Sequence, residues 1–182
     1  TVPVTISEPD PLSANVCDTA NVTCNLACDG SAQVCPLGGT APYSFIWDDA
    51  LAQTDSIADG LCAGSYSVTV TDANGCVALD SLIVIEEPTL LSCLFTDTGA
   101  TGCGSDSATG FAVVIGNGGV PPYQYIWDIL PVGSETDTLA DTLLAGTYNV
   151  TVSDSNNCTS ICTIEITDTS NMSAAITDSG MV

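Results

Sequence analysis

Lysine, arginine and histidine are missing from all 182 residues, whereas aspartate and glutamate number 22, for a formal net charge of −22. No salt bridge between side chains can form. Every carboxylate must be hydrated, capped by N–H groups or hydroxyls, or neutralised by a bound cation. Nucleic acid and anionic membrane surfaces would be repelled at close range. The same absence removes nucleophile–histidine triads, Schiff-base lysines and basic phosphate clamps. Paired carboxylates acting on sugars would remain, but the acids fall in repeated turns, where capping and turn formation explain them. No catalytic residue is assigned, and the chain is expected not to be an enzyme. Trypsin-like proteases would find no cleavage site. No apolar run reaches the length of a membrane span and no signal peptide is visible. The chain opens on Thr1 without an initiator Met, so a processed chain or an excised window is expected.

What is present argues for a folded protein. Apolar residues make up 45% of the sequence and mean hydropathy is +0.36, which runs against the disorder that strong acidity would otherwise suggest. Repetition is the main organising signal. GGTAPYSFIWDD at 38–49 returns as GGVPPYQYIWDI at 118–129, and DSIADGLCAGSYSVTVTDANGC at 55–76 returns as DTLADTLLAGTYNVTVSDSNNC at 137–158. VTISEP at 4–9 matches IVIEEP at 83–88, and LLSCLFTDTG at 90–99 matches NMSAAITDSG at 171–180. The period is thus near eighty residues. The expected organisation is a last strand of a preceding repeat over 1–8, complete copies over 9–87 and 88–169, and the first strand of a following repeat over 170–182. Either a window of a longer tandem array or a subunit that lends its terminal strands to neighbours fits this register, and both imply end-to-end assembly.

Within each copy the pattern is β. Tyr66, Val68 and Val70 alternate with Ser65, Ser67, Thr69 and Thr71, and Tyr148, Val150 and Val152 repeat the arrangement, as in a strand with one buried and one wet face. Tyr43, Phe45 and Trp47, and likewise Tyr123, Tyr125 and Trp127, share one face of an aromatic strand whose Trp anchors the core. Gly38, Gly39, Gly118 and Gly119 permit positive φ, and Pro42 and Pro122 precede the strand. The stretches 72–75 and 154–157 read as hairpin turns. Leu61, Gly64 and Tyr66, with Leu143, Gly146 and Tyr148, have the spacing of a tyrosine corner. The expected fold is all-β: tandem Greek-key β-sandwiches of the immunoglobulin or PKD type, disulfide-bonded and flanked by partial repeats.

The succession GG-x-x-PY-x-x-x-W, L-x-x-G-x-Y-x-V-x-V-x-D-x-N-x-C and an Ile-rich strand ending in EP resembles the SprB repeat. That resemblance covers nearly the whole chain. It implies a very large secreted surface protein of Bacteroidetes type, exported by type IX secretion, with an adhesive and filamentous role that includes the mobile adhesins of gliding cells. It implies no enzyme. The cysteines depart from the pattern of the family.

Ten cysteines in a short chain point to disulfides and an oxidising compartment, and zinc is disfavoured by the lack of His and of paired CxxC knuckles. The first copy holds Cys17, Cys24, Cys28, Cys35, Cys62 and Cys76, and the second holds Cys93, Cys103, Cys158 and Cys162. Both sets are even, so each copy can close its own bridges. Cys24 and Cys76 have counterparts in Cys103 and Cys158, which predicts Cys24–Cys76 and Cys103–Cys158, with Cys93–Cys162 left by elimination. The pairing among Cys17, Cys28, Cys35 and Cys62 stays open.

Two further chemistries are candidates. Asp followed by Ser or Thr and a small or branched apolar residue recurs at Thr19, Ser56, Ser81, Ser107, Thr138 and Thr142, a tripeptide that resembles the O-glycosylation acceptor of Bacteroidetes. Chance in an Asp-, Ser- and Thr-rich chain is the plain alternative. N-x-Ser/Thr sequons also occur at Asn21, Asn149, Asn157 and Asn171. Calcium would find oxygen ligands in Asp48, Asp49, Asp72 and Asp154 and in the junction residues Glu8, Glu86 and Glu87, although no DxDxDG loop is present and a solvated acidic coat is the simpler reading. No cofactor is otherwise required.

The functional expectation is a non-enzymatic extracellular repeat protein, part of a cell-surface adhesin or filament, whose partners are adjacent copies of the repeat and surface polysaccharide or other cells. Nucleic acid and membrane insertion are excluded from the partners. The alternatives are a self-assembling fibre subunit joined by strand donation and a carbohydrate-binding or spacer module of a secreted enzyme.

Overall fold

A computed structural model describes residues 8–102, 109–128 and 137–168, with only the backbone described at Asp80 and Ser81. The terminal partial strands expected over 1–8 and 170–182 fall outside these residues, apart from Glu8. The chain divides into two compact units, Thr1–Thr89 and Leu90–Val182.

Unit 1 is built from β1 (Val16–Ala20), β2 (Gly30–Val34), β3 (Ser44–Trp47), β4 (Ile57–Leu61), β5 (Gly64–Thr71) and β6 (Val77–Ile85). Its two sheets have the orders β1-β2-β4 and β3-β5-β6, and all the strand pairs are antiparallel. This is the A-B-E and C-F-G arrangement of the immunoglobulin sandwich. Unit 2 repeats it with β7 (Ser92–Gly99), β8 (Gly110–Asn117), β9 (Gln124–Trp127), β10 (Leu139–Leu143), β11 (Gly146–Ser153) and β12 (Thr159–Ile166), ordered β10-β8-β7 and β12-β11-β9.

The cores explain why such different loops accompany one fold. In unit 1 the buried set includes Ala32, Val34, Trp47, Ala58, Leu61, Val68 and Val70. In unit 2 it includes Ala112, Val114, Trp127, Ala140, Leu143, Val150 and Val152. Ala32 lies opposite Ala58, and Ala112 opposite Ala140, in the first sheet of each unit. These small side chains share one buried cluster with the indole contributed by the second sheet, consistent with close packing of the interior. Each indole also finds an acceptor: Trp47 Nε1 donates to the Asp55 carbonyl at 2.9 Å and Trp127 Nε1 to the Asp137 carbonyl at 3.0 Å. Among the described residues, no buried side-chain nitrogen or oxygen lacks a hydrogen-bond partner.

The tyrosine corners form as the spacing predicts. Tyr66 Oη donates to the Cys62 carbonyl at 2.9 Å and Tyr148 Oη to the Leu144 carbonyl at 3.0 Å. A second tyrosine ties each glycine turn to its strand, because Tyr43 and Tyr123 donate to the carbonyls of Gly38 and Gly118, both at 2.7 Å. The Ala41–Pro42 and Pro121–Pro122 bonds are cis. A bulge interrupts the β2–β4 and β8–β10 ladders at equivalent places. Its extra residue has positive φ, 66° at Gly60 and 54° at Thr142.

Disulfides close each sandwich. Cys17–Cys35 links β1 to the end of β2 with Cα atoms 5.8 Å apart, and Cys28–Cys62 joins the residues that flank β2 and β4. Cys93–Cys162 links β7 to β12 with Cα atoms 6.1 Å apart. The expected Cys24–Cys76 bridge does not form, and Cys76 is an exposed free thiol. Topology forbids the pair. Cys76 precedes β6, whereas the loop carrying Cys24 is bound at the far end of that strand, with Val22 N donating to Glu86 O and Asn25 Nδ2 to Pro88 O. A strand of nine residues separates those ends by roughly 30 Å, far beyond the ~7 Å that a disulfide spans between Cα atoms. The expected Cys103–Cys158 pair involves Cys103, which lies outside the described residues.

Candidate functional site

Two aspartates hold together the motifs that recur in the sequence. Asp72 is buried at the start of the β5–β6 hairpin. Its Oδ1 accepts from Asn74 N at 2.9 Å and Cys76 N at 2.7 Å, and its Oδ2 accepts from Thr40 N at 2.9 Å. Asp154, equally buried, repeats the arrangement with Asn156 N, Cys158 N and Val120 N at 2.9, 2.9 and 2.8 Å. Each carboxylate therefore fastens the hairpin to the glycine turn before the aromatic strand. Burial alone would raise the Asp72 pKa, but the N–H donors of Cys76, Thr40 and Asn74 outweigh it and hold the group below its ordinary value.

The clamp also dictates the second glycine of each GG pair. Gly39 and Gly119 have φ of 62° and 60°. A Cβ on Gly39 would lie 3.0 Å from Asp72 Oδ2, and one on Gly119 only 2.6 Å from Asp154 Oδ2. Backbone conformation and carboxylate approach thus demand glycine together.

A second pair of clamps was not anticipated from the sequence. Asp48 accepts from Ser67 N at 2.7 Å and Ser67 Oγ at 2.8 Å, while Asp128 accepts from Asn149 N at 2.6 Å and Asn149 Nδ2 at 2.7 Å. Different side chains on β5 and β11 do the same work, which hides the equivalence from pattern matching. Bonds from the backbone and then the hydroxyl of Ser67 hold the Asp48 pKa below its ordinary value. At Asp49 burial is outweighed by bonds from Gln53 and Leu51, and the pKa is again lowered. Asp29 is lowered by the hydroxyl and then the N–H of Thr23.

Of the residues singled out for calcium, Asp48, Asp49, Asp72 and Asp154 are thus acceptors for protein donors. Glu87 Oε2 accepts from Leu26 N at 2.8 Å, and Glu8 and Glu86 are exposed. Among the described residues, no three His, Cys, Asp or Glu side chains are grouped to hold a metal ion. A cleft in unit 2 lined by Thr98, Gly99, Ala100, Glu165, Ile166 and Thr167 carries a single acid.

The glycosylation candidates fall into unlike settings. Thr19 is exposed on β1, and Thr142 is exposed in the β10 bulge. Ser56 and Thr138 are half-buried, and their carbonyls accept from Val34 N and Val114 N at 2.9 Å. The repeated tripeptide at these two positions has a structural role, since its Asp carbonyl also binds the indole. Ser107 and the side chain of Ser81 lie outside the described residues, as does Asn171. Asn149 is occupied by Asp128 and by Thr163, whose Oγ1 donates to its Oδ1 at 2.7 Å, and Asn21 Oδ1 accepts from Glu86 N. Asn157 is exposed in the turn with φ of 64°.

One pair of residue rows recurs on the outer face of the second sheet in both units. On the outer face of β3-β5-β6, Ile46, Thr69 and Leu79 lie side by side, next to the row Ser44, Thr71 and Val77. On β12-β11-β9 the corresponding rows are Ile126, Thr151 and Ile161, and Gln124, Ser153 and Thr159. The aliphatic residues stand out in water, with 61% and 64% exposure at Ile46 and Leu79 and 49% and 68% at Ile126 and Ile161. None of these twelve positions is acidic.

Residues 17–52, which run from β1 to just beyond β3, match the family model of the SprB repeat. No curated protein matches the chain in sequence. Among solved structures, the amphioxus IgVJ-C2 molecule is similar to the chain with 11% identity and a TM-score of 0.40, over 80% of this chain and 99% of that one. A structure described as the basis for Dscam isoform specificity is similar with 14% identity and a TM-score of 0.31, over 85% of this chain. The chain spans 46% of that second protein. No helix among the described residues is long and apolar enough to cross a membrane.

Proposed function

We propose, on the premise that this is a SprB-repeat protein, that the chain is a non-enzymatic segment of an extracellular adhesin or filament. The observation that carries this reading is the occurrence of two sandwiches with one topology and one set of clamps, whose described carboxylates serve as turn acceptors or meet solvent. Function in such a molecule is mechanical. Disulfides and clamps keep each unit intact, and the uniform negative charge of the chain keeps successive units apart and soluble. An extended array then displays adhesive surface away from the cell. Several disulfides suit an oxidising exterior.

The test is immunogold labelling of intact producing cells with antibody raised against the chain, together with an attachment assay in the presence of its Fab fragments. Label along surface filaments and reduced attachment are expected. Label confined to the cell interior, or surface label with attachment unaffected by saturating Fab, would overturn the adhesive reading.

A further inference from the structure

We infer that Asn117–Gly118 in unit 2 is a site of spontaneous deamidation, and that the same dipeptide at Asn74–Gly75 in unit 1 is held back from it by the fold. Such a covalent change lies outside the adhesive role and does not depend on it.

Asparagine is one of the chemically labile side chains, and its deamidation needs only water. The backbone nitrogen of the next residue attacks the side-chain Cγ. An N–Cγ bond forms, the Cγ–Nδ2 bond breaks, and ammonia leaves with the proton of the N–H. Water then opens the succinimide at either carbonyl, giving aspartate or isoaspartate. Glycine in second place leaves the nitrogen open to this attack, since it has no Cβ and the widest backbone freedom. Asn–Gly occurs twice in the chain, at 74–75 and 117–118, so the sequence offers two equal candidates.

Both asparagines are exposed, and both glycines have positive φ, 82° at Gly75 and 77° at Gly118. Their hydrogen bonds differ. At the β5–β6 hairpin the nucleophile is occupied, because Gly75 N donates to Asp72 O at 3.0 Å. The leaving amide is occupied too: Asn74 Nδ2 donates to Thr40 Oγ1 at 2.9 Å, and Asn74 N is fixed on Asp72 Oδ1 at 2.9 Å. Ring closure there requires the clamp to open. Asn117, by contrast, ends β8 opposite Ser92, the first residue of the edge strand β7, and such strand ends open at little cost. Among the described residues, neither the Asn117 side chain nor the Gly118 N–H has a hydrogen-bond partner.

Deamidation at Asn117 reaches the clamp of unit 2. Isoaspartate adds one methylene to the main chain between β8 and the glycine turn. There Tyr123 Oη holds the Gly118 carbonyl at 2.7 Å, and a Cβ on Gly119 would lie only 2.6 Å from Asp154 Oδ2. A turn packed this closely cannot absorb the extra length in place, so the Val120 N–H is drawn off Asp154. The added carboxylate meets no basic side chain anywhere in the chain.

Peptide mass spectrometry of the full chain during long incubation in mildly alkaline buffer tests this, with chymotrypsin as the protease. In the folded chain, the amide-to-acid mass gain at Asn117 should outpace that at Asn74 by about tenfold or more, two hydrogen bonds each being worth a factor of about 2–12. In urea, with disulfides reduced, the two rates should converge. Thr40→Val should speed the reaction at Asn74 by about 2–12-fold with unchanged circular dichroism, and Asn117→Gln should abolish it in unit 2. A chain aged until Asn117 is converted should lose hydrogen-exchange protection at Val120 and keep it at Thr40. Asn74 reacting as fast as Asn117 in the folded chain would overturn the inference. So would a gap that persists in urea, or a folded chain inert at both sites over the time in which both react in urea. Undiminished protection at Val120 in the converted chain would overturn the link to the clamp.

Discussion

Replacing Asp154 should loosen unit 2 at one defined place. Asp154→Ala removes the acceptor for Val120 N, Asn156 N and Cys158 N, which lie 2.8 to 2.9 Å from it in a part-buried setting. Water can reach such donors in part, so a cost of about 1 kcal/mol for each is reasonable and the sum is about 3 kcal/mol. For a unit of this size that lowers its melting midpoint by about 10–20 °C. Asp154→Asn should cost less, about 1–2 kcal/mol, because the amide oxygen can still serve the hairpin while the NH₂ group faces the Val120 N–H. Gly119 sharpens the test. Gly119→Ala adds a Cβ 2.6 Å from Asp154 Oδ2 at a φ of 60°. In the Asp154→Ala background the 2.6 Å clash disappears, leaving the positive-φ cost of about 1–2 kcal/mol and the closer fit to Leu91 Cδ1 at 3.2 Å and to the Cβ of residue 154 at 3.3 Å. The two substitutions should therefore be coupled in a double-mutant cycle. Denaturant unfolding and amide hydrogen exchange are the measurements. Unchanged protection at Val120, Asn156 and Cys158 in Asp154→Ala, or full additivity with Gly119→Ala, would refute the clamp as described.

Other consequences can be checked in the same way. Thr142 holds a φ of 54° where unit 1 has Gly60, so Thr142→Gly should stabilise unit 2 by about 1 kcal/mol, read from the urea midpoint. Cys93 and Cys162 are 69 residues apart, and replacing both by Ala should cost unit 2 about 4 kcal/mol by loop-closure entropy, seen in the same titration. With no opposite charges to screen, added NaCl should raise the melting temperature, the reverse of a protein held by ion pairs. The pKa values of Asp29, Asp48, Asp49 and Asp72 are depressed in the folded state. Their stabilisation is full above the unfolded value of about 4 and is lost as pH falls through the lower folded values. Unit 1 should therefore destabilise in acid below about pH 4, and Asp72→Asn should flatten that fall in a calorimetric pH series.

Legibility in the sequence followed the range of each interaction. The alternation around Val68 and Val150, the Trp anchors and the tyrosine corners are local or periodic, and the spacing alone announces them. The clamp is different. Gly39 and Asp72 are each conspicuous as turn residues, yet only their joint recurrence as Gly119 and Asp154 hinted that they meet. The Asp48–Ser67 and Asp128–Asn149 pairs left no pattern, because a hydroxyl in one unit and an amide in the other satisfy the same carboxylate. Cysteine pairing failed at Cys76 because similarity between copies locates a residue on a strand but does not tell which end of the sandwich its would-be partner occupies.

By itself the sequence determined the class of the protein: a β repeat without cationic side chains, unable to form side-chain ion pairs and without any chemistry that needs His, Lys or Arg. Composition and periodicity are properties of the chain and need no fold to be read. Only the tertiary structure decided what the carboxylates do and which cysteines meet. Each of these depends on residues dozens of positions apart being brought within hydrogen-bond, disulfide or van der Waals distance, and such distances exist only once the sheets have paired.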